Sequence, residues 1–343
     1  MSIVFRVDAS NEIGGGHLTR CINIANQLKN ENINSFFILR DLIGVDITLL
    51  EFHKHQYKLI KNCRDYLDDA KQTIEIIEKE NIKPHSIIVD NYEIDSNWEN
   101  LLRTKAKKLV VIDDLANKNH NCHILINQVY GSEPSLYKGL INDSCQLFLG
   151  SKYIFLRPQF NLLRKNLNKT QNFEKITDIH LFFSSNDKNG LTIKYSKLLL
   201  ENFPKINLHI SVGNYFVNLK ELKDLASKYK NINWIQNNLN IEEQMAKCQI
   251  AIGTPGMTTW ERACLGIPSI QLGTKDFQDD ILNSLSSHGI CKWLGNEKYV
   301  SDEYFIKTCK EFFKNKEMLK EMREICLKVI DGEGLKRVIK IIL

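Results

Sequence analysis

The stretch Ile3-Val4-Phe5-Arg6-Val7, then Gly14-Gly15-Gly16-His17, then Leu18-Thr19-Arg20-Cys21-Ile22-Asn23-Ile24-Ala25 decides the fold. An apolar run of strand type enters a glycine turn. Leu18, Cys21, Ile22 and Ala25 then recur at i, i+3, i+4 and i+7, the stripe of a helix packed on a sheet. Strand, tight turn and helix start together leave backbone N–H groups facing outward, which favours an anion such as a diphosphate. His17 falls in the first helical turn, beside this positive end. A second positive charge is disfavoured there, so the sequence predicts a neutral imidazole at pH 7, a candidate general base. The plainer alternative is that His17 only caps the helix and the glycines only let the turn close.

Beyond this stretch, 343 residues are too many for one small core, and two domains are the default. The net charge of +5 is spread along the chain without a dense Lys/Arg block, so no nucleic-acid partner is expected. No apolar run approaches the roughly 20 residues of a membrane span, and no membrane partner is expected. The start of the chain lacks the basic, apolar and small-residue order of a signal peptide. Nine cysteines without a C-x-x-C read as reduced, mostly packed thiols. A cytoplasmic monomer is the expectation.

Strand-like and helical segments alternate twice. In the first half, strands are expected at 3–7, 34–39, 86–90, 109–113 and 123–127, with helices over 65–80 and 97–107. The second series comprises 179–183, 208–212, 232–234, 250–252 and 269–272, and residues 301–343 read as helical with a break at Gly332-Glu333-Gly334. The fold class expected is α/β, with two doubly wound Rossmann-like domains facing across a cleft. The boundaries read as 1–160, a linker at 161–174, and 175–343, with C-terminal helices able to pack back on the first domain.

The second half has its own anion loop. Ile250-Ala251-Ile252 leads into Gly253-Thr254-Pro255-Gly256-Met257-Thr258-Thr259, and a helix follows from about Trp260. Glu261 stands close to this loop, and a carboxylate accepting two hydrogen bonds suits the vicinal hydroxyls of a ribose. A capping pair of Thr258 and Glu261 is the alternative.

Taken together, these blocks resemble a known family. Phe5-Arg6-x-Asp8-Ala9-Ser10-x-x-Ile13-Gly14-x-Gly16-His17-x-x-Arg20 is similar to the N-terminal signature of UDP-2,4-diacetamido-2,4,6-trideoxy-β-L-altropyranose hydrolases. Val89-Asp90-x-Tyr92 with Trp98, Ile112-Asp113-Asp114-Leu115-Ala116, Leu156-Arg157-Pro158-x-Phe160 and the run from Ala251 to Pro268 match in the same order. The resemblance spans about residues 3 to 295. It implies the glycosyltransferase-B fold, a role in pseudaminic acid biosynthesis, and attack of water at the anomeric carbon of a UDP-sugar with inversion. On this resemblance His17 is the catalytic base, Tyr92 contacts substrate, and Glu261 binds ribose.

The expected catalytic set is His17, Tyr92 and Asp8, the last orienting His17 or holding water. UDP and substrate are expected at Gly14, Gly15, Gly16, Arg6, Arg20, Gly253, Gly256, Met257, Thr258, Thr259, Glu261 and Gln278. No cofactor and no metal is expected, since Asp-x-Asp, a metal clamp of other nucleotide-sugar enzymes, is absent from the sequence. His53-Lys54-His55 and His120-Asn121-Cys122-His123 lack zinc-site spacing. Departures from the family pattern fall at Phe182-Phe183-Ser184-Ser185-Asn186-Asp187, Gln159, Pro255, Met257 and Phe277. A glycosyltransferase of the same fold and a non-catalytic UDP-sugar-binding homologue remain alternatives.

Overall fold

A computed structural model describes all residues except Asn11, 168–171 and 238–239, and all remaining side chains except that of Phe277. The chain divides into two compact units. One is Met1–Arg157 together with Glu333–Leu343, the other Pro158–Gly332.

In the first unit the described residues form a seven-stranded parallel sheet. Its strands are β1 (Ser2–Val7), β2 (Asn34–Arg40), β3 (Gln56–Ile60), β4 (Pro84–Asp90), β5 (Lys108–Ile112), β6 (Ile124–Asn127) and β7 (Gln146–Leu149), in the order 3-2-1-4-5-6-7. Both faces are covered. Ile3, Phe5 and Val7 enter one apolar cluster with Leu18, Cys21, Ile22 and Ala25 of the helix Gly16–Asn30. Val4 enters the opposite cluster with Ile87, Val89 and Trp98, as strand alternation requires. The helix Gly334–Ile342 belongs to this unit: Val338 and Ile342 join the first cluster, and Ser86 Oγ donates to Ile342 O (2.6 Å).

The second unit repeats the plan with six parallel strands among the described residues. They are β8 (Asp178–Phe182), β9 (Asn207–Val212), β10 (Ile232–Gln236), β11 (Ile250–Gly253), β12 (Ser269–Gly273) and β13 (Lys292–Asn296), in the order 10-9-8-11-12-13. In each sheet the chain builds outward on one side, then returns to the other side of its first strand. The reversal lies between β1 and β4 in one unit and between β8 and β11 in the other. At such a point the two loops leaving the strands' C-terminal ends diverge, and ligands bind in the crevice they leave.

The passage between units differs from the linker expected at 161–174. Pro158 opens a helix, Pro158–Asn166, at a position where its missing N–H costs nothing. Phe160 and Asn161 are buried, and Arg164 donates to Cys264 O (2.8 Å) and Leu327 O (2.5 Å), which fixes this helix in the second unit. The polar residues read as a linker include the exposed face of that helix, while 168–171 lie outside the described residues. The return passage uses the expected glycines. Gly332 has φ +76°, and a Cβ on Gly334 would lie 2.3 Å from Ile154 O, so only glycine fits.

Candidate active site

His17 is the second residue of the helix that follows β1, and its side chain is 14% exposed. Its Nδ1 lies 2.6 Å from Asp90 Oδ1, at the C-terminal end of β4. The two residues therefore flank the strand reversal. A carboxylate accepts only, so Nδ1 carries the proton in this pair, and in the neutral ring the lone pair falls on Nε2. Arg20 lies one turn further along the same helix. Its Nε donates to Asp90 Oδ2 (2.5 Å), Nη2 to Asp90 Oδ1 (2.6 Å) and Nη1 to Asp114 Oδ2 (2.5 Å). Burial alone would raise the Asp90 carboxyl, but Arg20 and then His17 outweigh it and hold it well below the usual carboxylate range. Tyr92 closes the group. Its ring meets His17 edge-on at 4.4 Å and its hydroxyl donates to Asp114 Oδ2 (3.1 Å). Burial and Asp114 push this phenol above its ordinary range, so it stays a donor.

Asp114 is itself held by a buried cluster. Asp113 accepts from Leu115 N and Ala116 N, both at 3.0 Å, and from the Tyr137 hydroxyl at 2.9 Å. His120 bridges this turn to Glu99, with Nδ1 at 2.6 Å from Glu99 Oε1 and Nε2 at 3.7 Å from Asp113 Oδ2. Burial disfavours the imidazolium, yet Asp113 and Glu99 prevail and push His120 up to about 9. With the folded value above the unfolded 6.5, the stabilisation is complete below about pH 6.5 and lost as pH rises through about 9. A urea titration from pH 6 to 9.5 should show about 2–3 kcal/mol lost, and His120→Gln should flatten that slope.

Several expected site residues have other duties. Arg6, expected at the UDP, is 0% exposed on the sheet face under the helix Tyr66–Lys79. It donates to Asp69 through Nε (3.0 Å) and Nη2 (2.5 Å), and to Asp8 through Nη1 (2.7 Å), so it is a core ion pair and not a ligand contact. Asp8, expected to orient His17, accepts instead from Arg6, from Arg40 N and Nε (both 2.8 Å) and from Asn91 Nδ2 (2.8 Å). Asp90 takes the orienting place. Arg20, expected on UDP, is spent on Asp90 and Asp114. By contrast, Gly14, Gly15 and Gly16 are exposed, and a Cβ on any of them would meet no atom within 4 Å. Only Gly14, with φ +83°, needs glycine for its backbone; the other two leave open space at the helix start.

The second glycine loop divides in the same way. A Cβ on Gly253 would lie 1.9 Å from Phe182 O, so that glycine serves the packing of β11 on β8. Thr259 is 3% exposed; its hydroxyl donates to Gln271 Oε1 (2.9 Å) and its N–H to Gly256 O (3.0 Å). Gln278 Oε1 accepts from Thr274 N (2.9 Å) and Lys275 N (3.2 Å), capping its own turn. These three were expected to bind UDP, and each has its stated group engaged within the unit. Gly256 is exposed at φ +134° with no atom near a would-be Cβ, and Met257 and Thr258 follow it half-exposed. The helix Met257–Cys264 takes Gly256 as N-cap, so Thr258 is not the cap residue that a Thr258/Glu261 capping box needs. Glu261 is half-buried on this helix. Ser184, where the resembled family has glycine, adopts φ +98°, so the loop after β8 keeps a glycine-like backbone.

No family model matches the chain. It is 30% identical over 297 residues to an uncharacterized protein of Methanocaldococcus jannaschii, covering 83% of this chain and 59% of that one. The chain thus spans less than two thirds of that relative's length. It is 26% identical over 246 residues to the UDP-2,4-diacetamido-2,4,6-trideoxy-β-L-altropyranose hydrolase of Campylobacter jejuni, covering 71% of this chain and 81% of that enzyme. Among solved structures, the UDP-GlcNAc 2-epimerase of Neisseria meningitidis bound to UDP-GlcNAc matches with TM-score 0.62 at 14% identity, covering 99% of both chains. The glycosyltransferase of kitacinnamycin matches with TM-score 0.65 at 12% identity, covering 99% of this chain and 98% of that one. The chain therefore has two parallel-sheet α/β domains of the kind found in glycosyltransferase-B enzymes and nucleotide-sugar epimerases, and a distant relative is a UDP-sugar hydrolase. Among the described residues no helix is long and apolar enough to cross a membrane.

Proposed function

We propose that this chain hydrolyses a UDP-linked di-N-acetylated trideoxy sugar, releasing UDP and the free sugar with inversion. The observation that carries the reading is the His17–Asp90 pair at 2.6 Å beside an open glycine loop. Water attacks the anomeric carbon as the bond to the UDP oxygen breaks; His17 Nε2 takes the water proton, and UDP departs as an anion. Asp90 fixes the tautomer and stabilises the imidazolium as it forms, and Arg20 keeps Asp90 ionised. Tyr92 stands at the edge of the His17 ring, where its hydroxyl orients the sugar. In the second unit, the N–H groups of Gly256, Met257 and Thr258 receive the diphosphate, and Glu261 receives the ribose. The 26% identity to a UDP-sugar hydrolase supports this reading, and so does the fold shared with UDP-sugar epimerases.

Asp113 accepts from two amides and Tyr137, and Asp114 accepts through Oδ2 from Arg20 and Tyr92; the proposed reaction assigns neither carboxylate a metal. The test is release of UDP from UDP-amino sugars in EDTA-containing buffer without any acceptor. Release that requires an added acceptor alcohol makes the chain a transferase instead. Binding without release makes it a non-catalytic carrier.

Glu261→Ala should weaken UDP binding roughly 10- to 100-fold, since a charge-assisted hydrogen bond contributes about 1.5–3 kcal/mol. Calorimetry should find this with the circular dichroism spectrum unchanged. Unaltered affinity would remove Glu261 from the ribose site.

A further inference from the structure

Arg262 is a fully buried cation behind the second glycine loop. From the helix Met257–Cys264 its side chain runs back toward the helix start, as helical side chains tilt. Nη1 donates to Thr254 O (3.4 Å) and Nη2 to Phe182 O (3.2 Å). A Cβ on Gly253 would come within 2.5 Å of Nη2, so the guanidinium is packed directly against the loop. Its Nε is buried without a hydrogen-bond partner. Among the described residues no carboxylate forms an ion pair with it. Burial lowers Arg262 to about 10, partly offset by the charge of Glu261, so it remains cationic at neutral pH.

Two long hydrogen bonds to carbonyls compensate poorly for a charge taken out of water. A closer counter-charge than Glu261 has a place on the other side of the same loop. There Gly256 is open, and the amides of Met257 and Thr258 have no acceptor one turn back. We propose that Arg262 is a positioning residue for the diphosphate, its charge acting through the Gly253–Thr258 loop on an anion that it does not touch. The inference rests on the UDP-sugar reading of the second unit. In a low-dielectric interior a charge acts over such a distance with little screening, whereas a purely structural arginine would act only through the two carbonyls.

Lys and Gln at this position each keep a donor toward those carbonyls, but only Lys keeps the charge. The experiment measures affinities of the full chain for UDP and uridine by calorimetry, in wild type, R262K and R262Q. Wild type should prefer UDP by tenfold or more. R262K should keep that preference within about threefold, R262Q should lose about tenfold of it, and uridine affinity should stay within about twofold throughout. Equal loss in both variants, or loss in neither, overturns the inference while leaving the UDP site standing. A wild type with no preference for UDP overturns the reading of the second unit as well. If R262Q gives no cooperative melt, R262K decides alone, and a tenfold loss of UDP preference there overturns the charge role.

Discussion

His17→Ala is expected to lower turnover by roughly two to four orders of magnitude while leaving UDP affinity within about twofold. The proposed UDP contacts lie in the second unit, whereas His17 sits in the first, so binding and proton transfer should separate cleanly. His17→Asn should behave alike, because its amide keeps a donor for Asp90 but offers no basic nitrogen. Steady-state UDP release and calorimetry on the same preparations measure both quantities. A variant keeping a third of wild-type turnover would remove the histidine from the base role.

Asp90→Asn should cost about as much activity, roughly three orders of magnitude, by a different route. The amide can offer N–H to Nδ1 and so stabilise the other tautomer, which turns the lone pair away from the reacting side. It also leaves Arg20 with Asp114 as its remaining ion-pair partner, in a site where Arg20 is only 5% exposed. A stability loss of about 1–3 kcal/mol should accompany the loss of activity. Kinetics at a temperature well below the variant's own melting midpoint keep the two effects apart. Full activity in folded Asp90→Asn would mean that the carboxylate is structural only.

How far the sequence carried these conclusions depended on burial. Strands buried on both faces read as plain apolar runs: β1, β2, β4, β5 and β11 were all legible. β3, β7 and β13 were missed, and each lies at a sheet edge. Gln56–Ile60 and Lys292–Asn296 mix polar with apolar residues because one flank meets solvent, and Gln146–Leu149 is too short to signal. The helix start at Gly16 was legible because glycine punctuates it, whereas the second helix, expected from about Trp260, begins three residues earlier at Met257.

Within the site, sequence proximity misled. Asp8 is only nine residues from His17 and reads as a group that orients it or holds water, yet strand pairing puts Val7 opposite Asp90 and brings the second carboxylate in from β4. The signal was present, since an Asp ending a buried apolar strand is costly unless something pairs with it. Arg6 misled for the same reason. An arginine between Phe5 and Val7 points to the opposite sheet face, and only the structure reveals Asp69 waiting there. Arg262 could not be read at all, because its meaning depends on two carbonyls from β8 and the loop after β11.

The central claim is that water, not a hydroxylated acceptor or the phosphorus chemistry of UDP, completes the reaction. Turnover of a UDP-linked diacetamido-trideoxy sugar in ¹⁸O-water, followed by mass spectrometry of the nucleotide, tests it most directly. Attack at the anomeric carbon predicts stoichiometric, acceptor-free release of UDP carrying no label. Labelled UDP would mean cleavage at phosphorus, and no UDP without an added acceptor would mean transfer; either result contradicts the account.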